Sequence, residues 1–139
     1  VLLCFFLSAL AACSDAVPCQ QCPNVEGTYA MTWSDGGLSD RPCAAPGPRP
    51  ATMAFMQSGS RVTTALGDVP LGGTLYDSYD LPLTGRDARE SYAMRTLVIP
   101  TGTSQDGGIR LLGTLTTRRT DDAGDDCEHR DEFEGVKQR

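Results

Sequence analysis

The stretch ATMAFMQSGSRVTTAL, from Ala51 to Leu66, decides the fold class. Met53 and Phe55 share one face of its first half, and Val62, Thr64 and Leu66 share one face of its second. A two-residue period puts successive side chains on opposite sides of an extended chain, whereas a helix groups them three and four apart. Ser58-Gly59 stands between the runs and reads as a two-residue turn, because glycine reaches positive φ without a Cβ clash. The stretch is therefore a β-hairpin with one buried face.

The same pattern continues outward. Toward the N-terminus, Gly27 to Trp33 (GTYAMTW) sets Tyr29, Met31 and Trp33 on one face and stops at Asp35-Gly36-Gly37. Pro42 to Pro50 (PCAAPGPRP) holds four prolines and reads as a loop. Toward the C-terminus, Gly72-Gly73 opens a run from Thr74 to Tyr79. Asp80 to Thr84 places Leu81 and Leu83 together, with Pro82 at an edge or outward position. Tyr92 to Ile99 is rich in β-formers and stops at Pro100. Ile109 to Thr117 aligns Ile109, Leu111, Gly113 and Leu115. After an acidic turn from Asp121 to Asp126, a last run from Cys127 to Val136 gives Cys127 and Phe133 one parity. Only Arg86 to Ile99 admits a helical start, capped by Asp87. About eight strands at regular spacing predict an all-β domain, an antiparallel meander closing into a small barrel, with a β-sandwich as the alternative.

The 139 residues suit one domain. With 12 lysines and arginines against 18 aspartates and glutamates, the net charge is −6. Nucleic-acid binding needs a basic face that displaces counterions, so it is excluded as the expected function. Adhesion to acidic lipid through charge alone is excluded for the same reason.

Residues Val1 to Ala12 (VLLCFFLSALAA) carry no charge. This run is too short to span a bilayer as a helix, which takes about 20 residues, and reads as the apolar part of a signal peptide. The missing basic start and initiator methionine make a truncated leader the expectation. Leu10-Ala11-Ala12-Cys13 resembles the lipobox of bacterial lipoproteins. The resemblance implies cleavage before Cys13, lipidation of its thiol and acylation of its amino group. The membrane partner would then be reached through the lipid. Ser14 after the cysteine implies the outer membrane or periplasmic face of a Gram-negative cell envelope. The polar, proline-marked stretch Ser14 to Asn24 reads as a tether, so the expected organisation is a leader over 1–12, an anchor and tether over 13–24 and the β-domain over 25–139.

Four cysteines then remain in an exported domain, where an even number reads as a disulfide framework. Of the three possible connectivities, Cys43 with Cys127 and Cys19 with Cys22 is favoured. A redox role for Cys19-Gln20-Gln21-Cys22 would need a helix N-terminus, which Pro18 and Pro23 oppose. A zinc site would need a second close pair, and Cys43 and Cys127 stand apart.

Little else points to chemistry. His129 is the one histidine and lies in a polar alternating run, where a solvated or cross-strand paired role is expected. Asp121, Asp122, Asp125 and Asp126 form a weak cation candidate. An EF-hand starting at Asp121 would need glycine where Asp126 stands, so the cluster reads as a solvated loop. No metal or other cofactor is expected. Tyr29, Trp33, Phe55, Tyr92 and Phe133 would either fill a small barrel or line a ligand cavity within it.

Across Val25 to Arg139 the chain loosely resembles small lipocalin-like and avidin-like barrels. The resemblance rests on Gly27-Thr28-Tyr29, the Gln57-Ser58-Gly59-Ser60 hairpin, the repeated glycines and Phe133-Glu134-Gly135. The helix that follows the barrel in lipocalins is missing. The resemblance implies the architecture and carries no activity. The functional expectation is a monomeric, lipid-anchored binding or structural module without catalysis. A carrier of a small apolar ligand and a carboxylate-dependent hydrolase are the alternatives. The partner, protein or small molecule, is not specified by the sequence.

Overall fold

A computed structural model describes residues 16–37, 39–44, 47–101, 108–120 and 123–139. Val1 to Ala12, Cys13, Asp121 and Asp122 lie outside them. Eight strands follow in chain order: β1 Gly27–Asp35, β2 Thr52–Ser58, β3 Arg61–Leu66, β4 Val69–Thr74, β5 Asp80–Arg86, β6 Glu90–Pro100, β7 Ile109–Thr120 and β8 Asp126–Lys137. Each is antiparallel to the next, and β8 returns to β1, so the meander is a closed barrel. The expected barrel is therefore present, and the sandwich is not.

The deciding hairpin forms with its turn one residue later than expected. Ser58 pairs with Arg61, leaving Gly59-Ser60 as the turn, with Gly59 at φ 61°. A second tight turn, Gly67-Asp68, joins β3 to β4. Here the sequence misleads: Pro70, Gly72 and Gly73 resemble turn residues, yet they lie within β4, paired with Ala65, Thr63 and Val62. The fourth strand thus starts at Val69 and not at Thr74. The admitted helical start near Arg86 is also absent. Asp87 caps a turn instead, its Oδ1 accepting from the backbone N–H of Arg89 (3.0 Å) and Glu90 (2.8 Å). Those two donors hold its carboxyl below the ordinary carboxylate range.

Inward side chains fill the barrel. Tyr29, Met53, Phe55, Leu71, Met94 and Leu115 are among the largest that are fully buried. Pairing is uneven around the wall. β6 and β7 pair over eleven residues, from Glu90↔Arg119 to Pro100↔Ile109, while β4 and β5 pair only at Gly72↔Thr84 and Gly73↔Leu83.

Gly113 shows why glycines recur. It faces inward on β7 opposite Phe133, whose ring covers it, and a Cβ there would collide with the Arg95 carbonyl oxygen and meet the Phe133 ring. Close backbone approach of this kind bends a sheet around a barrel corner. Gly113→Ala is expected to cost about 3 kcal/mol, because backbone atoms must move to relieve the overlap. A urea melt of the variant measures it.

The two rims are closed differently. The lower rim is where β1, β3, β5 and β7 begin. There the stretch read as a tether is packed onto the barrel from Val17 to Asn24. The Asp77 N–H donates to the Val17 carbonyl (2.9 Å), the Cys19 N–H donates to the Leu75 carbonyl (3.0 Å), and Cys19 joins the apolar core. Gln57 pins this segment from within: its Oε1 accepts from the Val25 N–H (2.8 Å) and its Nε2 donates to the Pro23 carbonyl (3.1 Å). Cys19 and Cys22 form a disulfide. At the upper rim the connection from β1 to β2 folds back. Glu128 donates its N–H to the Arg41 carbonyl (2.8 Å), Gly36 donates to the Arg130 carbonyl (3.0 Å), and Cys43 is disulfide-bonded to Cys127.

Candidate functional site

The upper rim holds the polar side chains that the sequence scattered. Asp131 has the inward parity of Phe133 on β8 and is fully buried. An ionised carboxyl is tolerated at such a position only when it is paired. Arg49, carried by the proline-rich loop, supplies the partner: its Nε donates to Asp131 Oδ1 (3.0 Å) and its Nη2 bridges Asp131 to Asp35, 2.7 Å from Asp35 Oδ1. Asp131, then Asp35, raise the pKa of the guanidinium above its ordinary value by accepting its hydrogen bonds. His129 Nε2 lies 3.0 Å from Asp131 Oδ1. Trp33 donates Nε1–H to the Pro50 carbonyl (2.8 Å), fixing the end of the same loop. Together these contacts latch the loop over the mouth of the barrel.

The ligand-type atoms of Asp35, His129 and Asp131 lie within 4.8 Å of one another. Two carboxylates and an imidazole are a donor set that first-row metal ions accept. The Arg49 guanidinium already stands between both carboxylates and provides the positive charge, so the group reads as a salt-bridged latch. The weak cation candidate at the β7–β8 connection does not assemble among the described residues. Asp126 lies in β8 and accepts from Thr120 Oγ1 (2.8 Å), Asp125 is exposed, and Asp121 and Asp122 lie outside the described residues.

Beside the latch, on the outer surface of the same rim, runs a groove of about 1070 Å³. Its walls are the turn from Arg86 to Ser91, the end of β7, the start of β8, and the segment Ser39 to Arg41. It carries as many arginines (Arg41, Arg86, Arg89, Arg118, Arg130) as carboxylates (Asp40, Asp87, Glu90, Asp126, Glu128). Glu128 accepts from Arg118 Nε (3.0 Å) and Arg130 Nε (2.9 Å). The Arg118 guanidinium, opposed by some desolvation and aided by Arg130, holds its carboxyl below the ordinary range. Glu90 accepts from Arg119 Nε (2.6 Å) and from the Tyr92 hydroxyl, while burial pushes the Tyr92 phenol upward. Arg41 and Arg86 make no ion pair among the described residues.

The Glu128 pairs are exposed on the arginine side, so Glu128→Gln is expected to cost less than about 1 kcal/mol at neutral pH. A carboxyl lowered in the folded state contributes fully above its unfolded pKa and loses that contribution as pH falls through the folded value. The difference from the parent protein should therefore vanish in acid below the ordinary carboxylate range. Urea melts at neutral and acid pH check it.

The five aromatic candidates do not share one cavity. Tyr29 and Phe55 pack edge to face at the lower end, with centroids 5.2 Å apart. Trp33 and Phe133 meet at a tilt of 53° with centroids 5.5 Å apart higher up, and Tyr92 lies at the upper mouth. His129 has inward parity and bonds to Asp131 two residues along its own strand. Sequence reading missed Asp131 and Arg49. An acid at a core parity was the available signal for Asp131, whereas Arg49 lies in a loop with no period to expose it. No protein-family model, no characterised protein and no solved structure matches the chain.

Proposed function

We propose that this protein is a module of the bacterial cell envelope, moored through a lipidated Cys13, that binds its partner on the outer surface of the barrel and does no chemistry of its own. The observation that carries this reading is the division between interior and surface. The interior is occupied by fully buried side chains such as Tyr29, Phe55 and Met94, while the open groove lies outside at the upper rim. An internal carrier of an apolar ligand would need the volume those side chains fill. A carboxylate-dependent hydrolase would need Asp131 released from Arg49. The groove, with paired and unpaired guanidinium groups among carboxylates, suits a polar partner of mixed charge.

Native and denaturing mass spectrometry of the protein extracted from membranes tests the reading. The expected result is a monomer starting at Cys13, bearing diacylglyceryl and acyl groups, with no further bound hydrocarbon. A second, dissociable lipid or pigment would favour the carrier. An unmodified Cys13 would remove the mooring.

A further inference from the structure

We propose that the lower rim of the barrel is a lipid-facing surface, on which Val17, Met56, Tyr79, Leu97 and Val136 form an apolar collar that seats the domain on the bilayer. Among the described residues these five are the large hydrophobic side chains left exposed, from 43% for Tyr79 to 67% for Met56. Scattered apolar residues on a surface need no explanation. These share one end of the barrel. Met56 lies near the end of β2, Leu97 near the end of β6 and Val136 beside the end of β8. Tyr79 immediately precedes β5, and Val17 is hydrogen-bonded to the β4–β5 connection. All five positions belong to the same rim and are distributed around it. At the upper rim the outward positions of β7 and β8 hold Arg118, Thr120, Glu128 and Arg130, whereas at the lower rim the same strands set Leu112 and Val136 beside one charged pair, Arg110 with Glu134.

Where the chain leads identifies the occupant. Val17 is fixed to this rim through the Asp77 N–H, and Cys13 precedes it by four residues. Four extended residues reach at most about 14 Å, so any anchor at Cys13 holds this rim, and not the upper one, near the bilayer. The inference rests on the anchoring reading in that respect. The rim also carries Glu26, Asp77, Asp80 and Glu134 together with Arg61, Arg110, Lys137 and Arg139, four of each sign, with Arg110 bonded to Glu134, so its net charge is near zero and the attraction is apolar and suits zwitterionic lipid. Tyr79, with an apolar ring and a polar tip, is a side chain suited to the headgroup boundary.

Lipidated protein is reconstituted into phosphatidylcholine vesicles with brominated acyl chains, which quench nearby indole fluorescence. Three variants are compared with the parent, whose Trp33 is retained throughout: Met56→Trp and Leu97→Trp in the collar, and Ala88→Trp at the upper rim. The expected result is that all proteins float with the vesicles and that only the two collar variants lose emission relative to unbrominated lipid. Flotation without loss, or equal loss from all three, overturns the collar and leaves the mooring intact. Failure to float overturns the mooring and the collar with it.

Discussion

Replacing Cys43 and Cys127 together by alanine is expected to lower stability by about 4 to 5 kcal/mol and the melting temperature by about 15 °C or more. The bridge spans a sequence separation of 84, so it removes the entropy of a very long loop from the unfolded chain. In the same chain-entropy treatment the Cys19–Cys22 bridge, at a separation of 3, contributes about 2 kcal/mol or less. The native state gives a further reason for the difference. Cys43 holds the β1–β2 connection against the start of β8, where backbone bonds at Glu128 and Gly36 and the Arg49 latch also converge. Denaturant melts of the two paired variants decide the matter, and equal losses would contradict it.

The Arg49→Ala variant is expected to cost about 3 kcal/mol, because it leaves the fully buried Asp131 carboxylate without its counter-charge. The value lies at the lower end for broken buried pairs since the Arg49 side chain is 33% exposed. Removing both charges with shape-matched apolar residues, Arg49→Met with Asp131→Leu, should recover most of the loss, because the pair's main effect is to compensate its own desolvation. Asp35→Ala should change stability by less than about 1 kcal/mol, as its carboxyl is 87% exposed. A double-mutant cycle in urea measures the coupling. An Arg49→Ala variant as stable as the parent would show that the latch does not hold the loop.

Period-two patterning carried most of the architecture. Met53, Phe55, Val62, Thr64 and Leu66 are all buried, as are Tyr29 and Met31, because a closed barrel has one inner face and alternation is all it requires. The pattern failed where backbone geometry overrode side-chain chemistry. In β4, Pro70, Gly72 and Gly73 carry no β-propensity, yet the chain is held there by its neighbours β3 and β5, and Gly73 fits against the Pro82 carbonyl because it lacks a Cβ. The same limit applies to the upper rim. Asp131 and Arg49 are 82 residues apart, and only closure of the β1–β8 seam brings them together. The groove is likewise built from four separated segments, each of which reads alone as an ordinary solvated charge run.

The wall of the barrel is not uniformly knit. Eleven residue pairs join β6 to β7 and eleven join β7 to β8, but two join β4 to β5 and three join β2 to β3. Sub-global opening follows the least bonded boundary. Amide hydrogens along β4 and β5 should therefore exchange with deuterium well before those of β7. The native ensemble would then contain a rare clamshell state, split beside Gly73 and hinged on the three-stranded spine of β6, β7 and β8.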